Sequence, residues 1–535
     1  MTRTKTPALA GFLDSRLTTG YALILNAVLA GFYYAFAGTD GSLAASVLLR
    51  VIVFFSLFSA ASFPFAEAAF VGRASKRRDW KTVVFIRRAA FILTMGAVIL
   101  FALLFAALSG PLSSLVLYGS SAEADLLTIR LTLVMGGIYG VLNGFFTWLR
   151  GFWQGMEENS VEEKAQQISV IVSYISAALI MMVMVYGFHL NRTLSVYGLG
   201  AGMILGQACG AGYLYLYDRM KITKIRRLAK TQMMLGKTKQ KSFEEMTAFA
   251  APSTMISFLA GLMILLPCFM CSPVSIRLGF SAVETRSILA CTGLLIPVFA
   301  MSVIWAEQYS SAIHISRIAE ARVKMKDKLQ GRIDQMLIRV TASALPVSFS
   351  LGCLASVILP LFYGTDLTAS APELMIYGAA EGFLWAFSLL LIELSMTLGY
   401  GSACVTYAFI ALFAEAAIMW FLPYRLGLAG FALGTPLALC ILCFLCMSKI
   451  SNKRDISFIN YAVKCLRIIL ASMAMNGVYA IAEYFGLFTL SDSRLISILI
   501  LAGVIFIAFL AGMFILSLSG IRLIQPKKKS KKKKG

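Results

Sequence analysis

The run Leu495-Ile496-Ser497-Ile498-Leu499-Ile500-Leu501-Ala502-Gly503-Val504-Ile505-Phe506-Ile507-Ala508-Phe509-Leu510-Ala511-Gly512-Met513-Phe514-Ile515-Leu516-Ser517-Leu518 carries no charge. It is followed closely by Lys527, Lys528, Lys529 and Lys531 to Lys534. Wound as a helix at ~1.5 Å per residue, it is long enough to cross the ~30 Å hydrocarbon layer of a bilayer. Comparable runs recur near residues 20–38, 43–70, 89–110, 126–148, 167–188, 198–217, 245–270, 287–312, 335–362, 373–397, 403–421, 428–448 and 466–484. The spacing predicts an all-α polytopic membrane protein of about 14 transmembrane helices.

Composition agrees. Of the 535 residues 59% are hydrophobic, against about 45–50% in an ordinary globular chain, and 14% are charged, against about 25%. A mean hydropathy of +0.80 leaves too few polar residues to coat a water-soluble particle of this length. Soluble enzyme, secreted disulfide protein and DNA-binding domain are excluded. The net charge of +22 therefore points to membrane topology and not to nucleic acid. All but seven of the 48 Lys and Arg fall in the tails and alternate loops, the seven being Arg50, Arg130, Arg192, Arg277, Arg286, Arg425 and Arg494. Positive residues near span ends stay cytoplasmic, so both termini are expected there, which requires an even number of spans. The polybasic tail reads as a topology signal or as an attachment to anionic lipid headgroups. Ala35-Phe36-Ala37 follows too long an apolar stretch for a cleaved leader, and an uncleaved first span is expected. The ten cysteines lie mostly within spans. Cys440, Cys443 and Cys446 suit helix packing, and Cys268 with Cys271 is a weak pair signal.

The chain also repeats itself. Gly72-Arg73-Ala74-Ser75-Lys76 after span 2 matches Ser316-Arg317-Ile318-Ala319-Glu320 after span 8, and Gly155 matches Gly399, both at an offset of 244. Gly198-Leu199-Gly200-Ala201 and Gly427-Leu428-Ala429-Gly430 match at 229, the difference lying in the longer loop 157–164. Two six-helix lobes are predicted, at 1–217 and 245–448, joined by a basic linker at 218–244. Helices 13 and 14 are appended at 449–518, with the tail at 519–535. Six spans per lobe is even, so the lobes enter from one side and are related by an axis along the membrane normal, where such architectures place a transport route. Gly198, Gly200, Gly202 and Gly206 should let helix backbones approach closely; Pro64, Pro297, Pro346 and Pro360 should bend or end helices.

Arg150-Gly151-Phe152-Trp153-Gln154-Gly155-Met156, followed by Gln167-Ile168-Ser169, resembles the R-G-x-x-Q-G segment of the stage V sporulation protein B group. That group belongs to the multidrug/oligosaccharidyl-lipid/polysaccharide superfamily, which also holds the lipid II flippases. Phe63-Pro64-Phe65-Ala66, Ile315-Ser316, Arg332 to Arg339, Pro346 and Leu361-Phe362-Tyr363-Gly364 resemble further segments of the family. Ile313-His314-Ile315-Ser316 lacks a proline usual there, and Glu67 stands where the family has a small residue. Span 1 offers Asn26 where lipid II flippases carry arginines. The resemblance implies a transporter of the bacterial cytoplasmic membrane, working in polysaccharide or peptidoglycan (cell-wall) synthesis on a lipid-linked glycan.

Charge within the bilayer costs at least ~2.5–3.5 kcal/mol on insertion scales, so ionisable residues inside spans are functional candidates. Glu67 in span 2 and Glu307 in span 8 lie within one helical turn of equivalent repeat depth and are candidates for coupling to a proton or cation; pairing with headgroup-level arginines is the alternative. Arg50 could bind a lipid pyrophosphate in bidentate fashion or could snorkel to headgroups. Asn26 and Gln308 could bond sugar hydroxyls or neighbouring helices. Glu381 and Glu393 should face different sides of span 10, and Glu415 and Glu483 are lesser candidates. No phosphate-binding loop, metalloprotease motif or nucleophile elbow occurs, so no catalytic residue, metal or cofactor is expected. Three functions stay open: a flippase for a lipid-linked oligosaccharide or other glycan precursor, an ion-coupled multidrug exporter, and a non-transporting scaffold for glycan assembly.

Overall fold

The computed structural model describes residues 41–59, 63–118, 123–231, 239–307, 326–363, 371–454, 456–488, 494–518 and 520. The first predicted span with Asn26, the residues Gln308, Ile315 and Ser316, and the polybasic tail lie outside these. The described residues are helical almost throughout, without strands. Among the described residues, thirteen helices are long and apolar enough to cross a membrane.

The first lobe contains α1 (41–59), α2 (Phe63–Lys76), α3 (Trp80–Ala107), α4 (Ser109–Val116), α5 (Glu123–Gly155), α6 (Asn159–Met182) and α7 (Ser195–Thr231). The second lobe contains α8 (Lys239–Arg277), α9 (Ala282–Glu307), α10 (Lys326–Cys353), α11 (Ala355–Tyr363), α12 (Ala371–Gly378) and α13 (Ala380–Leu398). It closes with α14 (Gly401–Phe421), α15 (Pro423–Leu426), α16 (Leu428–Ala432) and α17 (Gly434–Arg454). The appended pair, α18 (Ile459–Tyr484) and α19 (Arg494–Leu518), packs together and leans on α10. Tyr461 of α18 reaches the hydroxyl of Thr341 at 2.8 Å and stacks on Phe387 of α13, which fixes the pair to the second lobe.

Several spans are broken where the sequence suggests one helix. α3 gives way to α4 at Leu108, α10 to α11 at Leu354, and α12 to α13 at Ala379. α7 does not stop at the membrane edge: it continues to Thr231, so the predicted linker begins as helix. There Asp218, Ile222, Ile225 and Ala229 form a buried stripe at helical spacing. Pro297 and Pro346 stand inside α9 and α10, and Pro64 is the second residue of α2.

With no solvent between lipid-bathed helices, close backbone contact must hold them. On α7, Gly198, Gly202, Gly206 and Gly210 recur every four residues and meet Met181, Ala177, Ser173 and Ser169 of the antiparallel α6. A Cβ on Gly206 would stand 2.0 Å from the Ser173 hydroxyl. The R-G-x-x-Q-G segment is built likewise. A Cβ on Gly151 would meet the Pro64 carbonyl at 2.6 Å, and one on Gly155 the Ala68 carbonyl at 2.8 Å, so these two glycines of α5 form the seat of α2. Arg150 beside them pairs with Glu162 of α6.

The two lobes share one core at the end remote from the basic loops. Leu43 to Phe58 of α1, with Val116, Leu133 and Leu199, pack there against Leu265, Leu289, Phe299, Met375 and Phe431 of the second lobe. Toward the basic end the second lobe has a core of its own, while another core joins the first lobe to Met246 and Ala250 of α8. Bonds across the junction join residues 243 and 242 apart, Ser46 to Leu289 and Arg50 to Thr292, almost the repeat offset of 244. Equivalent positions of two repeats can touch only on the axis relating them, so α1 and α9 mark that axis.

Gly206→Ala should lose about 1–3 kcal/mol through overpacking, read as a lowered Tm in detergent. Gly212→Ala, where a Cβ would meet nothing within 4 Å, should leave Tm unchanged or raise it.

Candidate functional site

Ser42, Ser46 and Arg50 follow one another at four-residue intervals on α1, forming a polar line along one helix face that is buried throughout. Ser46 lies so close to α9 that a Cβ on Gly293 would stand 1.8 Å from its hydroxyl. This hydroxyl donates to the Leu289 carbonyl at 3.1 Å. One turn further, Arg50 reaches across the junction. Its Nη1 donates to the Ile264 carbonyl of α8 at 2.6 Å and its Nη2 to the Thr292 carbonyl of α9 at 2.9 Å. Nε has no partner among the described residues. Only 6% of Arg50 is exposed. Carbonyl dipoles satisfy its protons but leave its charge, and an uncompensated charge in a dry junction is costly.

Compensation comes from the second lobe. Arg50, Thr292, Phe299, Glu381, Phe431 and Thr435 line a small cavity of about 30 Å³. Glu381 occupies the first turn of α13, where the helix dipole favours an anion, and accepts from the Trp385 indole at 3.3 Å. Glu415 of α14 is fully buried and accepts from the Thr435 hydroxyl at 2.7 Å, its other oxygen having no partner among the described residues. The Arg50 charge acts on both carboxylates. A cation from one lobe and two carboxylates from the other thus share the junction.

Beyond this site the junction is sealed at the end opposite the basic loops. Ser272 of α8 donates to the Val116 carbonyl at the end of α4, and Arg286 of α9 pairs with Asp125 of α5 at 3.0 Å, partly exposed.

The other candidates are dispersed. Glu67 is wholly buried in the first lobe, under the seat of α2. Glu307 closes α9 at the basic end. Glu381 lines the cavity while Glu393 is exposed on another face of α13. Sequence reasoning passed over Arg87 and Asp218, which form a buried ion pair at 2.6 Å beside Glu67. It also passed over a buried relay across the first lobe. In this relay Ser169 donates to Gln207 at 2.8 Å, Gln207 to Asn143 at 2.8 Å, and Asn143 to Ser59 at 2.6 Å. The only advance signal for the relay was the presence of amides within apolar runs.

This helical arrangement recurs in solved structures. Lipid II flippase MurJ in an inward closed conformation superposes with a TM-score of 0.61 at 14% identity, covering 95% of this chain and 99% of its own. At this identity the likeness is one of fold. A multidrug resistance MATE family transporter in its inward-facing conformation gives 0.57 at 14% identity, over 81% of this chain and 96% of its own. The eukaryotic MATE transporter AtDTX14 gives 0.54 at 12% identity, over 86% and 100%. Neither a family model nor a curated protein sequence matches the chain.

With Cys271, which is buried in the junction core, as the sole cysteine, thiol labelling reports how often the seal opens. Arg50→Ala removes two charge-assisted bonds of about 1.5–3 kcal/mol each and should raise the rate at least tenfold. Asp125→Asn removes a partly exposed pair worth about 0.2–1 kcal/mol and should raise it less than about fivefold. Equal rates would deny Arg50 its role in fastening the lobes.

Proposed function

We propose that the chain is a flippase carrying a lipid-linked oligosaccharide, or another peptidoglycan or polysaccharide precursor, across the bacterial cytoplasmic membrane by alternating access. The observation that carries this reading is Arg50, a buried guanidinium between the lobes that faces a small cavity and whose hydrogen bonds among the described residues go to two carbonyls. Its planar fork suits two oxygens of a diphosphate. When the lobes part, the carbonyls of Ile264 and Thr292 withdraw and the diphosphate takes their place. Glu381 lines the same cavity, and its repulsion of the bound anion would favour release. The basic end and both termini face the cytoplasm. Asn26 and Gln308 bond sugar hydroxyls, Glu67 and Glu307 take the coupling proton or cation, and the polybasic tail holds anionic headgroups.

The MurJ likeness supports this reading. A match over 95% of the chain leaves fewer residues unmatched than the appended helices contain, so it takes in part of α18 and α19, whereas the MATE likenesses cover 81% and 86%. One observation favours a cation exporter instead: Glu381 and Glu415 outnumber Arg50 at the junction.

Proteoliposomes separate the two. Transfer of a fluorescent polyprenyl diphosphate oligosaccharide between leaflets should fall at least tenfold in Arg50→Ala and less in Arg50→Lys, which keeps the charge but not the fork. Depletion in cells should leave a lipid-linked glycan on the inner leaflet. Unaltered glycan transfer by Arg50→Ala, with export of a cationic amphiphile lost in Glu381→Gln, would replace the flippase reading with the exporter.

A further inference from the structure

The first lobe holds a second charged site, away from the junction. Glu67 stands on α2 just past Pro64, with 0% exposure, and neither carboxylate oxygen has a hydrogen-bond partner among the described residues. The charges that reach it are those of Arg87 on α3 and Asp218 on α7. Those two are themselves buried, at 6% and 4% exposure, and paired at 2.6 Å from Arg87 Nη2 to Asp218 Oδ2. Arg87 Nη1 and Asp218 Oδ1 have no partner among the described residues. Of the other ionisable groups packed around this core, Arg150 of α5 and Glu162 of α6 pair with each other and Tyr217 of α7 donates to Glu158; α5 also supplies Trp148 and Phe152, whose rings lie 5.0 and 4.5 Å from the Arg87 guanidinium, and α8 supplies Met246 and Phe249.

Two carboxylates therefore share one guanidinium in an apolar core, leaving one negative charge without a counter-ion or a donor. A buried charge of that kind costs several kcal/mol. A metal ion would have to sit beside the guanidinium and be repelled by it. A single proton on one carboxylate removes the excess and leaves the Arg87–Asp218 pair intact.

α2 is also where the lobes touch at the basic end. Its Phe65 stacks on Phe249 of α8 at 5.9 Å between ring centres, and Phe70 meets the same ring edge-on at 5.9 Å. A change in how α2 sits on the first lobe is passed through these rings to the first helix of the second.

We propose that Glu67, Arg87 and Asp218 form a binding site for one proton, whose occupancy decides whether α2 is seated and hence whether the lobes are closed at the basic end. With the proton bound, the carboxyl is neutral and α2 rests on Gly151 and Gly155. When the proton leaves to the aqueous phase at that end, Glu67 becomes an anion beside Asp218, is driven toward water, and carries α2 and its grip on Phe249 with it. The proposal rests on the alternating-access reading but not on the identity of the cargo.

Purified protein without cargo tests it by two measurements. Infrared difference spectra between acidic and alkaline pH should contain the carbonyl band of a protonated carboxylic acid in the wild type. That contribution should be lost in Glu67→Gln. Spin labels on Lys76 and Lys241, at the basic ends of α2 and α8, should give a distance distribution that changes with pH in the wild type. Glu67→Gln should hold the low-pH distribution at every pH. Asp218→Asn leaves one carboxylate for one guanidinium and should also abolish the pH response, which keeps the test decisive if either variant folds poorly. A band that persists in Glu67→Gln, or a pH-dependent distance in either variant, overturns the proposal. Neither measurement involves cargo, so a failure of the flippase reading would leave both results standing.

Discussion

A guanidinium at the junction of two membrane lobes is the constraint around which the rest is arranged. Arg50 cannot be left bare in that core, and among the described residues no first-lobe carboxylate pairs with it at the junction. The second lobe supplies both responses: the Ile264 and Thr292 carbonyls, which take the protons, and Glu381 and Glu415, whose fields oppose the charge. Fastening and charge balance are thereby divided between different groups. Carbonyl bonds can be given up as the lobes move, while the carboxylates reside on helices of the opposite lobe. An apolar residue at position 50 would pack the same junction but would give it neither a latch nor a polar site.

The repeat explains where this asymmetry could arise. Ser46 and Leu289 meet across the axis, and so do Arg50 and Thr292, because nearly equivalent turns of α1 and α9 face one another there. By the offset, the counterpart of Arg50 is Leu294. The sequence has a cation at one of these two positions and an apolar residue at the other. A symmetric junction with arginine on both sides would set two guanidiniums against each other in a dry core, at a cost that neighbouring carbonyls do not remove.

Much of this was legible in the sequence. Long apolar runs give the spans, since a helix is the cheapest way to satisfy backbone groups in lipid. The offset of 244 foreshadowed which helices would meet on the axis. Arg50 and Glu67 stood out because charge within an apolar run is conspicuous. Arg87 and Asp218 did not, since each sits beside another charged residue at a span edge, next to Arg88 and Arg219. Adjacent helical positions point about 100° apart. The fold turns Arg87 and Asp218 inward while Arg88 and Arg219 remain exposed, a distinction that only the packing of α3, α5 and α7 creates. The glycines of the R-G-x-x-Q-G segment were visible as a motif, yet their role as the seat of α2 depends on a carbonyl contact between distant segments.

The two charged sites also differ in what their surroundings permit. At the junction, Arg50 and Glu381 border a small cavity between helices of the two lobes. Around Glu67, aromatic rings and close helix contacts leave the smallest cation, a proton, as the one that fits without rebuilding the core. α1 and α2 carry these sites on successive stretches of one predicted span, with α1 fastened to the second lobe at the sealed end and α2 touching it at the basic end. That span is in contact with the second lobe near both faces of the membrane. On the alternating-access reading proposed above, a tilt of this single span would tighten one contact while it loosens the other, and the rings shared with α8 would pass the change to the second lobe.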